Sequence, residues 1–323
     1  MSQITDYSQV SFITVTEASA GQRIDNFLLK ELKFLPKTAI YKLLRKGEIR
    51  VDKKRIKPTK KLVLGEILRI APIRDVPEET EVQQAGSRLV AQIEASIILE
   101  DDDLIIINKP SGIAVHGGTD NLHGVIEVIR QLRPDLAYIE LVHRIDKETS
   151  GLLLLAKNRQ TLLDLHEAFK TDGISKHYQA LVFGNWRGGE RRISNHLQRT
   201  EGKGPQKMRV SDNEEGKLSE SVFSPLAQFE NNSLLSVKLL TGRMHQIRTQ
   251  LAELELPIVG DSKYGDFTLN REFARTNKLK RLFLHAYRVE FKLKHSGKVY
   301  RQEISLADDL QTALNHLNNN IKT

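Results

Sequence analysis

The sequence predicts an α+β protein in which a small basic module precedes a larger domain built on a mainly antiparallel, mixed sheet. Three observations favour this class. Positive charge is concentrated near the N-terminus, an acidic polar stretch without periodicity follows it, and beyond that stretch strand-length apolar runs outnumber helical patterns without alternating with them. At 323 residues the chain is long enough for several domains. We expect the module over residues 18–80, a linker over 81–90 and the larger domain over 91–323.

The charge distribution indicates a polyanionic partner. The chain carries a net charge of +8, but residues 23–75 contain 16 basic and 6 acidic residues, so the rest of the chain has a slight acidic excess. A basic surface of this kind is typical of nucleic-acid binding, and a solvated basic face without function is the alternative.

The basic module has the pattern of a folded unit. Apolar residues recur at helical spacing over residues 24–32 and again over 40–44, and Gly47 is placed to end the second helix. Alternating residues over 48–51 and 65–70 predict two short strands. Three basic residues share the face of the second helix opposite its apolar stripe, namely Lys42, Arg45 and Lys46.

This stretch resembles the S4 RNA-binding domain. The matching segments are Arg23-Ile24-Asp25, the basic second helix, Gly47-Glu48-Ile49-Arg50-Val51-Asp52 and Gly65-Glu66-Ile67. The resemblance implies two helices cradled by short strands, with the basic side chains presented to structured RNA. Contacts of this type are made mainly to phosphates and to the shape of the RNA.

The larger domain is predicted from its apolar patterns, element by element. Helical spacing of apolar residues predicts helices over residues 123–132, 162–169 and 244–254. The remaining elements, in chain order, are strands over 97–99, 104–107, 152–156, 178–183, 221–229 and 234–240, a hairpin turn at Ser296-Gly297 and a surface helix beyond Asp308.

Composition excludes several chemistries. The chain has no cysteine, which rules out disulfides, thiolate zinc sites, iron–sulfur clusters and cysteine nucleophiles. The N-terminus lacks a signal-peptide pattern, and no apolar stretch approaches the ~20 residues of a membrane helix. We therefore expect a cytoplasmic protein without a membrane partner, whose chemistry uses a carboxylate, hydroxyl, amine or imidazole.

The densest group of polar residues is the loop His143-Arg144-Ile145-Asp146-Lys147-Glu148-Thr149-Ser150-Gly151, which we call the aspartate loop. Apolar strands approach and leave it, and loops held at the rim of a sheet usually carry functional side chains. On composition alone, a surface ion pair between Arg144 and Asp146 explains the loop equally well.

Two other chemistries for these residues find little support in the sequence. A hydrolase triad of His143, Asp146 and Ser150 lacks the Gly-x-Ser-x-Gly elbow. A metal could be held by His143 with Asp146, and another by His116 with His123. Neither pair has a third ligand at a recognisable spacing, so we expect no metal.

The aspartate loop matches the His-Arg-Leu-Asp-x-x-Thr-Ser-Gly signature of the RluA-type pseudouridine synthases, which the chain resembles over roughly residues 95–290. Ile145 replaces the usual leucine. The other matching segments follow in the family's order: Asn108-Lys109-Pro110-Ser111-Gly112, Lys176-His177-Tyr178-Gln179-Ala180-Leu181-Val182, Leu240-Thr241-Gly242-Arg243-Met244-His245-Gln246-Ile247-Arg248, Pro257-Ile258-Val259-Gly260-Asp261-Ser262-Lys263-Tyr264-Gly265 and Arg281-Leu282-Phe283-Leu284-His285-Ala286.

This resemblance implies that the chain isomerises uridine to pseudouridine without a cofactor. Asp146 would be the catalytic carboxylate, and Arg248 would pair with it through a bidentate guanidinium, with Arg243 as the rival for that role. Tyr178 would stack on the uracil and offer its hydroxyl to remove the C5 proton. Arg144 would fill the gap left by the flipped-out nucleotide. The other expected contacts to substrate or RNA are His143, Lys109, Lys42, Arg45 and Lys46.

The choice of RNA is less constrained by the residues. An S4-like module combined with the segment 281–286 resembles bacterial enzymes that modify the large-subunit rRNA. We therefore expect a protein that acts on specific uridines of 23S rRNA or of its assembly precursor, with a monomer as the default oligomeric state. The alternatives are another 23S rRNA site, tRNA, and a non-catalytic RNA-binding factor for ribosome assembly. Whether Asp146 attacks the sugar, attacks the ring or only assists elimination stays open.

Overall fold

In a computed structural model, the chain divides into two compact units. The first comprises Met1–Gln84 with Arg133–Tyr138, and the second Ala85–Leu132 with Ile139–Thr323. The residues that the structure describes are 7–32, 34–73, 84–118, 123–200, 207–211 and 215–320. In those ranges, no helix combines the length and the apolar composition needed to cross a membrane.

The first unit has two helices packed on a three-stranded antiparallel sheet in which β3 is central. Its elements are β1 (Ser11–Thr14), α1 (Ile24–Glu31), α2 (Lys37–Lys46), β2 (Ile49–Val51) and β3 (Ile67–Ile70). The apolar stripe of each helix faces the sheet, so that residues such as Ile24, Leu28 and Ile40 are fully buried. Gly47 ends α2 in the left-handed conformation, with a φ of 74°, as the sequence predicted.

The second unit is organised around a single large sheet. Its elements are α3 (Ser87–Glu94), β4 (Ile97–Glu100), β5 (Leu104–Lys109), α4 (Val125–Leu132), β6 (Glu140–Leu141), β7 (Ser150–Ala156), α5 (Arg159–Ala168), β8 (Ile174–Phe183), β9 (Arg191–Arg199), β10 (Met208–Val210), β11 (Lys217–Gln228), β12 (Asn232–Leu239), α6 (Gln246–Glu253), α7 (Phe267–Asn277), β13 (Leu284–Lys292), β14 (Val299–Glu303) and α8 (Asp308–Asn320).

The strand order confirms the expected fold class. The main path of the sheet runs β10-β9-β11-β12-β8-β13-β7-β5-β4, with β14 paired to β13 and β6 paired to β7. Among the described strands, β7 and β13 are the one parallel pair, and the others are antiparallel. The hairpin expected at Ser296-Gly297 joins β13 to β14.

The central strand β7 fixes the end of the aspartate loop. All seven residues of β7 are buried, between β5 on one side and β13 on the other. Gly151 has a φ of 108°, and a Cβ built on it would lie 2.2 Å from the backbone oxygen of Ala286 in β13. A glycine is therefore required for the two strands to approach this closely.

Several boundaries differ from those expected. β1 precedes residue 18, where the first domain was expected to begin, and it pairs with β3. The last part of the expected linker, residues 87–90, belongs to helix α3, while residues 81–83 lie outside the described residues. The polar tail beyond Asp308 does form a helix, α8.

Candidate active site

A cavity of about 390 Å³ opens beside the aspartate loop. Its wall is formed by that loop, by β8, by the segment between β12 and α6, and by the start of α6. The expected site residues that line it are His143, Arg144, Asp146, Tyr178, Arg243 and Arg248. Residues that lie far apart in the sequence are thus brought together in one concave surface, which we take as the candidate active site.

Arg248 is the buried cation of this site. It lies in the first turn of α6 with only 2% of its side chain exposed, and its Nη1 donates a hydrogen bond of 3.2 Å to Asp146 Oδ2. Its Nε and Nη2 donate to the two carboxylate oxygens of Asp261, at 2.8 and 2.7 Å. The expectation that Arg248 holds Asp146 through two hydrogen bonds is therefore wrong, because the bidentate pair is made with Asp261.

The electrostatics of Arg248 follow from this arrangement. Its Nη2 also lies 3.3 Å from Glu148 Oε2, so that one guanidinium contacts three carboxylates. Burial alone would lower the pKa of Arg248, but the hydrogen bonds and charges of Asp261 and Asp146 raise it. Burial likewise acts to raise the pKa of Asp261, and the hydrogen bond and charge of Arg248 hold it below its usual value. Both groups are therefore charged in the folded protein.

The Asp146 carboxylate presents its two oxygens to different surroundings. Arg248 contacts Oδ2, and His245 Nε2 lies 3.8 Å from the same atom. Within the described parts of the chain, no donor reaches Oδ1. About a quarter of the side chain is exposed, and it lines the cavity. One oxygen is thus fixed by the protein, and the other is available to a bound molecule.

His245 is held in an unusual backbone conformation at the start of α6. Its φ of 51° lies in the left-handed region, which costs a residue with a side chain about 1 kcal/mol. For this reason α6 begins at Gln246, whereas the sequence predicted a start at Met244. His245 Nδ1 lies 2.8 Å from the hydroxyl oxygen of Tyr264, which in turn accepts a hydrogen bond of 2.7 Å from the backbone N–H of Met208. If the Tyr264 hydroxyl donates to Nδ1, the ring proton is on Nε2 and faces Asp146.

Tyr178 lies in the wall of the cavity. It belongs to β8, it is 8% exposed, and it pairs with Val237 of β12. Burial and then the charge of Asp146 raise the pKa of Tyr178 above its ordinary value. The phenol is therefore neutral, with its ring placed for a planar partner in the cavity.

His143 lines the cavity but is committed to the fold. Its Nε2 accepts a hydrogen bond of 3.2 Å from the backbone N–H of Leu154, and its ring stacks on Phe169 with 5.1 Å between the ring centroids. Burial lowers the pKa of His143 to about 3, and the nearby charge of Lys176 acts in the same direction. A neutral ring in this position orients the aspartate loop.

Lys109 does not line the cavity. It is fully buried, and its Nζ donates to the backbone oxygens of Pro110, Ile113 and Lys147 at 2.8, 2.9 and 3.1 Å. Burial lowers the pKa of Lys109 to about 7, but three carbonyl acceptors require three N–H donors, which only the ammonium form provides. Because all three N–H groups of its ammonium donate to backbone oxygens, Lys109 anchors the aspartate loop and has no donor available for a phosphate.

The geometry argues against a hydrolase triad. Ser150 Oγ lies 2.9 Å from His285 Nδ1 and accepts a hydrogen bond of 3.0 Å from Arg281, so it is not paired with His143 as a hydrolase triad needs. Across the described ranges, no group of three or more histidine and acidic residues is arranged to hold a metal ion.

The remaining expected residues are exposed. Arg144 lines the cavity, and Arg243 donates from Nε to the backbone oxygen of Leu218 at 2.9 Å, away from Asp146. In the first unit, Lys42, Arg45 and Lys46 of α2 are all exposed. Lys46 forms a loose ion pair of 3.6 Å with Glu48.

The sequence interpretation assigned no role to three residues that shape this site: Asp261, His245 and Tyr264. All three lie in segments that match the family's sequence pattern. A signal for Asp261 was its place directly after the apolar run Pro257–Gly260, where an acidic residue needs a buried partner. The contact between His245 and Tyr264 joins residues that are far apart in the sequence, so no local sequence pattern predicts it.

Two family models match the chain. The model for RNA pseudouridylate synthase matches residues 103–253, which include the aspartate loop and Arg248. The S4 domain model matches residues 22–68. The S4 range lies within the first unit. The synthase range lies within the second unit except for residues 133–138, which belong to the first.

Individual proteins give the same assignment. The chain is 43% identical to Ribosomal large subunit pseudouridine synthase C of Haemophilus influenzae, with 96% of each chain covered. It is 42% identical to the protein of that name from Escherichia coli K12, with 98% of this chain and 99% of the relative covered. Among solved structures, Human RNA Pseudouridylate Synthase Domain Containing 4 shares the fold at a TM-score of 0.58 and 23% identity, covering 72% of this chain and 96% of that one. The chain therefore belongs to the RNA pseudouridylate synthase family.

Proposed function

We propose that this chain isomerises specific uridines of 23S rRNA, or of its assembly precursor, to pseudouridine, with Asp146 as the catalytic carboxylate. The observation that carries this proposal is the Asp146–Arg248 pair in the wall of a cavity that has room for a base. The RNA target is supported by near full-length identity to relatives whose names specify the large ribosomal subunit.

The reaction requires a carboxylate but no second substrate. The N1–C1′ bond breaks, the base turns, and C1′ joins C5. The C5 proton is then lost and N1 gains a proton, so no atom is added or removed overall. A carboxylate is suited to engage an electron-poor sugar carbon, as in glycosidases. Asp146 Oδ1, which no described donor occupies, is the oxygen available for this contact.

The target uridine must leave its stack to reach the cavity. Enzymes that act on a base commonly flip the nucleotide outward and fill the gap with a side chain. Arg144 is exposed and lines the cavity next to Asp146, which supports this role for it. The exposed basic face of α2 supports contacts to RNA phosphates. We also propose that the protein acts as a monomer, in the cytoplasm where ribosomes are assembled.

The target is tested by mapping pseudouridines in a strain that lacks this protein. We expect specific positions of 23S rRNA to lose pseudouridine, as detected by chemical derivatisation followed by reverse-transcription stops. Expression of the wild-type chain should restore them. Loss of pseudouridine from tRNA with an unchanged 23S rRNA would overturn the proposed substrate, and a strain with all its pseudouridines intact would overturn the proposed activity.

Tyr178→Phe is expected to lower kcat about 100-fold and to leave the Kd for RNA within about twofold, because the ring is kept and only the hydroxyl is lost. A neutral phenol can take up the C5 proton only while its own proton passes to another base or to water. The charge of Asp146 acts on this phenol and raises its pKa. With RNA deuterated at C5, the variant should show a larger kinetic isotope effect than the wild type. A variant with wild-type kcat would show that Tyr178 only stacks on the base.

A further inference from the structure

Lys176 is a buried lysine in the cavity that the proposed reaction does not yet use. Its side chain lies in the cavity wall and is 8% exposed, and its Nζ lies 4.7 Å above the centroid of the Phe169 ring. In the part of the chain that the structure describes, Nζ has no carboxylate partner and donates no hydrogen bond. A desolvated ammonium without a counter-ion destabilises a fold, so stability does not explain a lysine here.

The strand places Lys176 beside Tyr178. The two residues are separated by one position on β8, so their side chains lie on the same face, with Cα atoms about 7 Å apart. Their partners on β12 are Leu239 and Val237, and Leu239 also lines the cavity. A flat base stacked on the Tyr178 ring would therefore have its edge within reach of the long Lys176 side chain.

The surroundings of Lys176 favour a weakly charged acceptor over a phosphate. Phe169, Leu239 and Leu284 form apolar parts of the cavity wall. Burial lowers the pKa of Lys176 to about 8. A carbonyl oxygen on a base can enter such a pocket, whereas a phosphate is strongly hydrated and costs more to bring there.

We propose that the Lys176 ammonium donates a hydrogen bond to a carbonyl oxygen, O2 or O4, of the flipped uracil. This inference rests on the proposed function. When the N1–C1′ bond breaks, its electron pair goes to N1, and resonance spreads the negative charge over the two carbonyl oxygens. An ammonium fixed beside one of them stabilises this charge more than it stabilises the neutral base, and therefore raises kcat.

The first test compares Lys176→Met with Lys238→Met. Lys238 is an exposed lysine of β12 that pairs with His177 and lies on the opposite face of the sheet. Its substitution by methionine therefore removes the same charge without changing the cavity. We expect Lys176→Met to lower kcat about 10- to 100-fold, with a Kd for RNA within twofold and a Tm no lower than that of the wild type. Lys238→Met should keep wild-type kcat. A Lys176→Met variant with full activity would overturn the inference.

The second test identifies the acceptor with RNAs that carry 2-thiouridine or 4-thiouridine at the target position. Sulfur is a weaker acceptor than oxygen, so one of the two RNAs should slow the wild type and cause no further slowing in Lys176→Met. Equal slowing of both proteins by both RNAs would overturn the inference. So would a variant with unchanged kcat, weaker RNA binding and a shallower salt dependence, since that result indicates a phosphate contact. Failure of the proposed function is distinct, because the wild type itself would then form no pseudouridine.

Discussion

Asp146→Asn is expected to abolish pseudouridine formation, by about 10⁴-fold or more, while the Kd for RNA stays within about twofold of the wild-type value. Asparagine has nearly the same size but carries no negative charge, so it can neither engage the sugar or ring as a nucleophile nor balance Arg248. The assay is single-turnover release of tritium from C5-labelled RNA, with filter binding for affinity.

The control for this variant is Asp172→Asn, which removes one negative charge from an exposed turn between α5 and β8. It should behave as the wild type in both measurements. Substantial tritium release by Asp146→Asn would show that another group is the catalyst. Loss of RNA binding together with activity would favour a purely RNA-binding role for the aspartate loop.

Arg248→Met is expected to cost about 3–5 kcal/mol of unfolding free energy and to eliminate activity. The reason is that Asp261, which is fully buried, would keep its charge without the guanidinium that compensates it. Asp146 would lose its hydrogen bond at the same time. Urea unfolding followed by circular dichroism measures the first effect, and tritium release measures the second.

The pH dependence of this variant has a definite sign. In the wild type, the lowered pKa of Asp261 gives stability that is present above the unfolded-state pKa, ~3.9, and is lost as pH falls through the folded-state pKa. Without Arg248, burial raises the pKa of Asp261, so the penalty is largest at neutral pH and shrinks as acid protonates the carboxyl. The stability deficit of Arg248→Met should therefore be smaller at pH 5 than at pH 7.5. Arg243→Met, which removes an exposed arginine, should change stability by less than about 1 kcal/mol at both pH values.

The elements with at least one buried face were predictable from sequence. Helical spacing revealed α1 and α2, because each has one face in the core of the first unit. Uniform apolar runs revealed β5 and β7, which are buried on both faces. Strand β9 was missed because most of its residues are exposed or half-buried without alternation, and α7 because its sequence is largely polar.

The composition of the site was predictable, but its partnerships were not. The family segments placed Asp146, Tyr178 and Arg248 in one cavity, and the structure brings all three there. The sequence did not show that Arg248 makes its bidentate contact with Asp261, nor that Lys109 Nζ donates to backbone carbonyl oxygens. Local sequence patterns indicate which face of a helix or strand is buried. Which side chains form hydrogen bonds or ion pairs depends on distances that are set only in the folded chain.

The anchoring of the aspartate loop by Lys109 bears on how the free energy of RNA binding is used. Lys109 Nζ, the Gly112 N–H and the Ser111 hydroxyl all bond to backbone oxygens of Lys147 or Glu148. A loop held by this many contacts is already ordered before RNA arrives, and little conformational entropy is lost when it is engaged. The favourable free energy of the contacts along the RNA is then available to move the target nucleotide out of its stack. Recognition of the target is thereby coupled to delivery of the base to Asp146.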